Sequence, residues 1–123
     1  MMTFCMIFGL LAGIKLARMA AKRMEENIMK ERKIELQAIE HYGVPAQVSK
    51  AIEEASELIR ALCRFQQRGM NCSDDEIYNI REEIADVQVM CDQMEMVFGD
   101  TQIGEIKRRK LERLRKRMEC SNE

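Results

Sequence analysis

"AIEEASELIR", residues 51–60, sets three glutamates among alanines, isoleucines and a leucine at helical spacing. Glutamate is an ordinary helix former, so the stretch predicts a helix, and what needs explaining is where its acids point. At about 100° per residue, Ala51, Glu54, Leu58, Ala61 and Phe65 fall in one row, with Glu54 the charge that interrupts it. Glu57 borders that row, whereas Glu53 turns outward. A more apolar row, Val48, Ile52, Ala55, Ile59 and Leu62, runs alongside and reads as the main packing stripe. "REEIADVQVM", residues 81–90, repeats the design in the next helix. There Ile77, Ile80, Ile84, Val87, Cys91, Met94 and Phe98 form the main stripe. Glu83, Asp86, Met90, Gln93 and Val97 form the row beside it, and Glu82 faces outward.

Two adjacent apolar rows give each helix more than one packing neighbour. That predicts an all-α chain, a four-helix-bundle-type subunit or a dimer of helical hairpins. Carboxylates in the second row are then partly desolvated, and an unpaired ionised carboxylate there costs several kcal/mol. Neighbouring like charges add to the cost, so Glu54, Glu57, Glu83 and Asp86 together call for a cation or an uptake of protons. Oxygen-only ligands suit a hard ion such as Mg²⁺ or Mn²⁺. A single E-x-x-E reads most simply as solvated acids facing Lys50, Arg60, Arg64 or Arg81. Two such pairs, each set into an apolar row, favour a shared ion.

The remaining punctuation delimits four helices. The first spans about Met24 to His41 and is closed by Gly43 and Pro45. The second covers about Ala46 to Gln67, ended by "RGMNCS". Ser73 and Glu76 form an S-x-x-E capping box that opens the third, which stops at Gly99. The fourth runs from near Thr101 to about Glu119. Its apolar face is Ile103, Ile106, Leu111, Leu114 and Met118; Lys110 falls inside that face, with Arg113 and Arg117 at its edge. A lysine so placed can snorkel, or it can direct its ammonium at a bound phosphate. Arg108, Arg109, Arg115 and Lys116 read as solvated.

"AIEEASEL", "REEIADVQVM" and "IKRRKLERL", in that order, resemble the MazG-like members of the all-α nucleoside triphosphate pyrophosphohydrolase superfamily, over roughly residues 29–118. The hallmark E-x-x-E and E-x-x-D motifs are here Glu54 to Glu57 and Glu83 to Asp86. The resemblance implies a Mg²⁺-dependent hydrolase that cuts a nucleoside triphosphate between the α and β phosphates, releasing the monophosphate and pyrophosphate. It also implies a homodimer or homotetramer. In that scheme the four carboxylates hold the metal and Glu54 or Glu57 takes a proton from water. Lys110 and Arg113 contact phosphate, and Gln93 reaches the sugar or a metal-bound water. The alternative is a non-catalytic helical interaction module.

Composition narrows the classes further. In 123 residues, 20 basic and 21 acidic side chains leave a net charge of −1, so bulk charge favours no nucleic-acid partner. The basic fourth helix lacks interleaved aromatics, and the acidic rows would repel a polyanion. Five cysteines without a C-x-x-C pair read as reduced thiols of a cytoplasmic protein, with no structural zinc. Residues 1–23 stand apart from a helical domain at 24–119 and a tail at 120–123. Their opening "MMTFCMIFGLLAGI" has no charge before Lys15 and is too short to span a bilayer, which takes about 20 residues. It reads as an extra N-terminal hydrophobic helix or extension packed on the bundle, or as sequence ahead of a start at Met24 or Met29. Membrane contact through residues 1–14 is the alternative, with Lys15 and Arg18 snorkelling.

Overall fold

The structure, a computed structural model, describes the backbone of residues 3–120 and the side chains of 13–69 and 71–120. The described residues form four α-helices, α1 (Thr3–Tyr42), α2 (Val44–Arg68), α3 (Asp74–Phe98) and α4 (Asp100–Cys120). A single 3-10 turn, Gly69–Asn71, joins α2 to α3. The all-α class expected from the sequence is observed, with no strand among the described residues. Residues 121–123 of the expected tail lie outside them.

The chain divides into two units that meet between Ile34 and Glu35. The first is the leading part of α1, in which residues 13–34 are all exposed. The expected change of character near Met24 leaves no mark on the backbone, because α1 is continuous from Thr3 to Tyr42. The second unit holds the end of α1 and the other three helices.

The helix ends follow from their residues. Gly43, at φ 84°, occupies a region that side chains with a Cβ rarely adopt, and its N–H closes α1 on the Ile39 carbonyl at 2.9 Å. Pro45 then sits in the first turn of α2, where its missing N–H costs no hydrogen bond. Ser73 and Glu76 form the expected capping box. The Glu76 N–H donates to Ser73 Oγ at 3.2 Å, and the Ser73 N–H donates to Glu76 Oε2 at 2.9 Å. Arg68 ties the end of α2 to the same carboxylate at 2.8 Å. Gly99, at φ 103°, separates α3 from α4.

Within the second unit, α2 and α3 pack as an antiparallel hairpin. Ala61 and Phe65 line a cavity together with Cys72, Glu76 and Ile80, while Glu54 and Glu57, further back along α2, approach Glu83. The faces in contact are not the ones the sequence ranks first. Gln47, Glu54 and Ala61 are the buried positions of α2, and Met90 and Gln93 those of α3. Ile52 and Ile59, from the more apolar row of α2, are 67% and 61% exposed. The more apolar row of α3 is divided, with Ile77, Ile80, Val87 and Met94 half-buried but Ile84, Cys91 and Phe98 exposed. Helix α4 packs on α3 and sends only Ile103 into partial burial; Ile106, Leu111, Leu114 and Met118 remain exposed.

The cap yields a stability prediction. Glu76 is held below the usual carboxylate range, first by the Ser73 N–H and, after a smaller opposing effect of burial, by the Arg68 charge. A depressed carboxylate contributes stability that is present above its unfolded-state pKa and lost as pH falls through the folded one. Glu76→Gln is therefore expected to lower the denaturation midpoint at neutral pH and to converge with wild type in acid. Ser73→Ala should cost about 1 kcal/mol in the same urea titrations.

Candidate metal centre

Three of the four acids singled out by the sequence converge. One carboxylate oxygen from each of Glu54, Glu57 and Glu83 lies within 4.8 Å of the other two. Glu54 is buried and the other two are half-buried. Residues 54 and 57 lie on successive turns of α2, so their side chains project together, and the antiparallel hairpin brings Glu83 opposite them.

The three are not equally compensated. Glu54 Oε1 accepts from Lys50 Nζ at 2.5 Å, and that hydrogen bond is the main reason the Lys50 ammonium is held above its ordinary pKa. Glu57 has a looser 3.4 Å contact with Arg60, whose side chain is 65% exposed. Solvated pairs of this kind contribute little, typically under about 1 kcal/mol. Glu83 differs: its Oε2 is buried and has no hydrogen-bond partner among the described residues. Burial pushes its carboxyl above the usual range, and the charges of Glu57, Asp86, Glu54 and Glu82 push the same way.

Asp86 is exposed and lies outside the group of three, although its charge is felt at Glu83. Gln93, expected to reach substrate, is only 4% exposed, and its Oε1 has no hydrogen-bond partner among the described residues. Lys110 and Arg113 are exposed residues of α4. Gln47, also buried, was not singled out in the sequence; it extends the row of Ala51 and Glu54 by one turn, and that spacing was the available signal.

An all-oxygen set drawn from two helices, one of its oxygens buried and unpartnered, fits a hard divalent cation. No protein-family model, curated protein or solved structure matches the chain. The functional reading therefore rests on the residues and their geometry.

Glu83 makes the site testable by thermal melts. A raised carboxylate contributes stability that is fully present below its unfolded-state pKa and lost as pH rises through the folded one. Without divalent ions, Glu83→Gln, which is permanently uncharged, should melt above wild type at neutral pH and match it in acid. Mg²⁺ at about 100 times its dissociation constant should stabilise wild type by about 2.7 kcal/mol, and the variant by much less.

Proposed function

We propose that this chain is a Mg²⁺-dependent nucleoside triphosphate pyrophosphohydrolase of the MazG-like kind, acting at the anhydride between the α and β phosphates. The observation that carries this reading is the convergence of Glu54, Glu57 and Glu83, with a buried Glu83 oxygen that has no donor among the described residues. The order of the E-x-x-E and E-x-x-D motifs and the basic helix supports the same reading. Mg²⁺, or Mn²⁺ in its place, would be held by Glu54, Glu57 and Glu83, with Asp86 on the flank. When bound it would supply charge neutralisation for the triphosphate and Lewis acidity.

The protein groups then divide the remaining work. Glu57, held by a single 3.4 Å contact, is freer to accept a proton from the attacking water than Glu54, which Lys50 engages at 2.5 Å. Lys110 and Arg113 would contact phosphate oxygens and stabilise the charge that builds on departing pyrophosphate. Gln93, whose amide oxygen has no hydrogen-bond partner among the described residues, would take a hydroxyl of the sugar or an ordered water.

The thin interior supports a homo-oligomer as part of this proposal. Ala61 and Met90 are the apolar residues that are buried among the described positions, while Ile52, Ile59, Leu62 and Phe98 stay exposed. A chain of this size needs more buried apolar surface than that, and a second copy laid on the exposed row of α2 would provide it.

A panel of canonical and modified nucleoside triphosphates should show Mg²⁺-dependent pyrophosphate release from at least one member. Glu57→Ala should slow it by roughly 10²- to 10⁴-fold. Release from no substrate by folded protein that binds Mg²⁺ would leave the non-catalytic helical module as the reading. Light scattering should give a multiple of 14.4 kDa for wild type, and Ile59→Glu should shift the mass toward a single chain.

A further inference from the structure

The turn end of the α2/α3 hairpin holds a cavity of about 220 Å³ that the converging carboxylates do not line. From α2 it is lined by Ala61, Arg64 and Phe65, which share a face at i, i+3 and i+4. Asp75, Asn79 and Ile80 line it from α3, and Cys72 from the connection between the helices. Ala61 is buried, Cys72 and Ile80 are half-buried, and with Phe65 they make its apolar walls. Glu76 also borders the cavity, but its carboxylate is already engaged by the Ser73 N–H and by Arg68. The side chains of Arg64, Asp75 and Asn79 have no hydrogen-bond or ion-pair partner among the described residues, so all three are available to a ligand.

Place and size limit what that ligand can be. Ala61 is four residues from Glu57 and Ile80 three from Glu83, so the cavity begins about 5 Å, one helical turn, from the carboxylate positions. Only the sugar separates the α phosphate of a nucleotide from its base, so a phosphate held at the carboxylates delivers the base here. An apolar cavity of about 150 Å³ is enough to bind benzene. About 220 Å³ therefore takes one six-membered ring with its polar substituents, whereas the fused rings of a purine would project from it.

The three available polar side chains then discriminate between pyrimidines. Cytosine presents an amino donor at N4 beside acceptors at N3 and O2. Asp75 is an acceptor, and the Asn79 amide and Arg64 guanidinium supply donors. Uracil and thymine carry an oxygen at position 4, which would meet the Asp75 carboxylate acceptor to acceptor.

We propose that this cavity binds the base of a cytidine or deoxycytidine nucleotide. Asp75 accepts from the N4 amino group, Asn79 and Arg64 donate to N3 and O2, and Phe65 packs on the ring. The proposal rests on the hydrolase reading for where the phosphates lie, and it names cytidine triphosphates as the substrate class. It also sets the direction of the bound nucleotide, with the base toward the turn. Gln93, ten residues beyond Glu83 on the opposite side, is then left to hold an ordered water rather than the sugar.

Cys72 reports occupancy without reference to turnover. With Mg²⁺ and the full-length wild-type chain, saturating cytidine monophosphate should suppress alkylation of Cys72 by iodoacetamide, followed peptide by peptide in a mass spectrometer. Cys63 and Cys91 are exposed and do not line the cavity, so their alkylation should be unchanged. Judged by the half-protecting concentration, cytidine monophosphate should bind roughly 5- to 100-fold more tightly than uridine monophosphate. Asp75→Asn, whose amide can donate to an oxygen at position 4, should erase or reverse that preference. Asp75 is exposed, so circular dichroism should show unchanged helix in the variant. The proposal is overturned if cytidine monophosphate leaves Cys72 as reactive as before, if uridine or adenosine monophosphate protects it as well, or if Asp75→Asn keeps the wild-type preference. Selective protection of Cys72 with no pyrophosphate release from any triphosphate would uphold the cavity and remove the hydrolase reading. Equal release from purine and pyrimidine triphosphates without protection of Cys72 would do the reverse.

Discussion

The proposed function depends on carboxylates set inside a helix-to-helix contact. A helical hairpin of two 25-residue helices can be closed with apolar residues alone, and that would be the more stable solution. Here Glu54 lies in the buried seam and Glu83 enters it from the other side, with the Lys50 ammonium engaged by only one of them. A seam with that much unbalanced negative charge is weak as packing and well suited to a cation. The fold and the proposed chemistry therefore make opposing demands on the same few residues, and a divalent ion held there would satisfy both.

The choice of seam has a second consequence. Because α2 turns its polar-interrupted row toward α3, its more apolar row remains at the surface, with Ile52 and Ile59 largely uncovered. The acids and the apolar surface are thus two aspects of one rotational setting of α2. Rotating that helix to bury Ile52 and Ile59 against α3 would carry Glu54 away from Glu83. A partner on the outer face would hold the setting in place, which links the proposed oligomer to the proposed site.

Much of this was legible in the sequence. The four helices, the glycine stops at Gly43 and Gly99 and the Ser73 capping box depend on local backbone chemistry, which residues report directly. The approach of Glu54, Glu57 and Glu83 was legible because helical spacing fixes which acids share a face. The ranking of the two faces was not. Counting apolar residues measures how strongly a row seeks burial but says nothing about which neighbour buries it, so the Ile52 and Ile59 row was read as the main packing stripe. Asp86 sits outside the group for a related reason. Spacing puts it in the same row as Glu83, but the row is broad, and its position relative to α2 depends on tertiary packing that sequence does not encode locally. The first helix was expected to start near Met24 and instead runs through it, because a shift in charge pattern does not by itself interrupt a helix.

The central claim is that these side chains form one cation site, and Mn²⁺ titration followed by electron paramagnetic resonance addresses it without reference to any substrate. Free Mn²⁺ gives a sharp six-line signal that is quenched on binding. Wild-type protein should quench one or two equivalents per chain, Mg²⁺ should compete for the same site, and Glu54→Gln combined with Glu83→Gln should restore the free-ion signal. A folded wild-type chain that leaves the signal unchanged, or a double variant that quenches it as fully as wild type, would contradict the account.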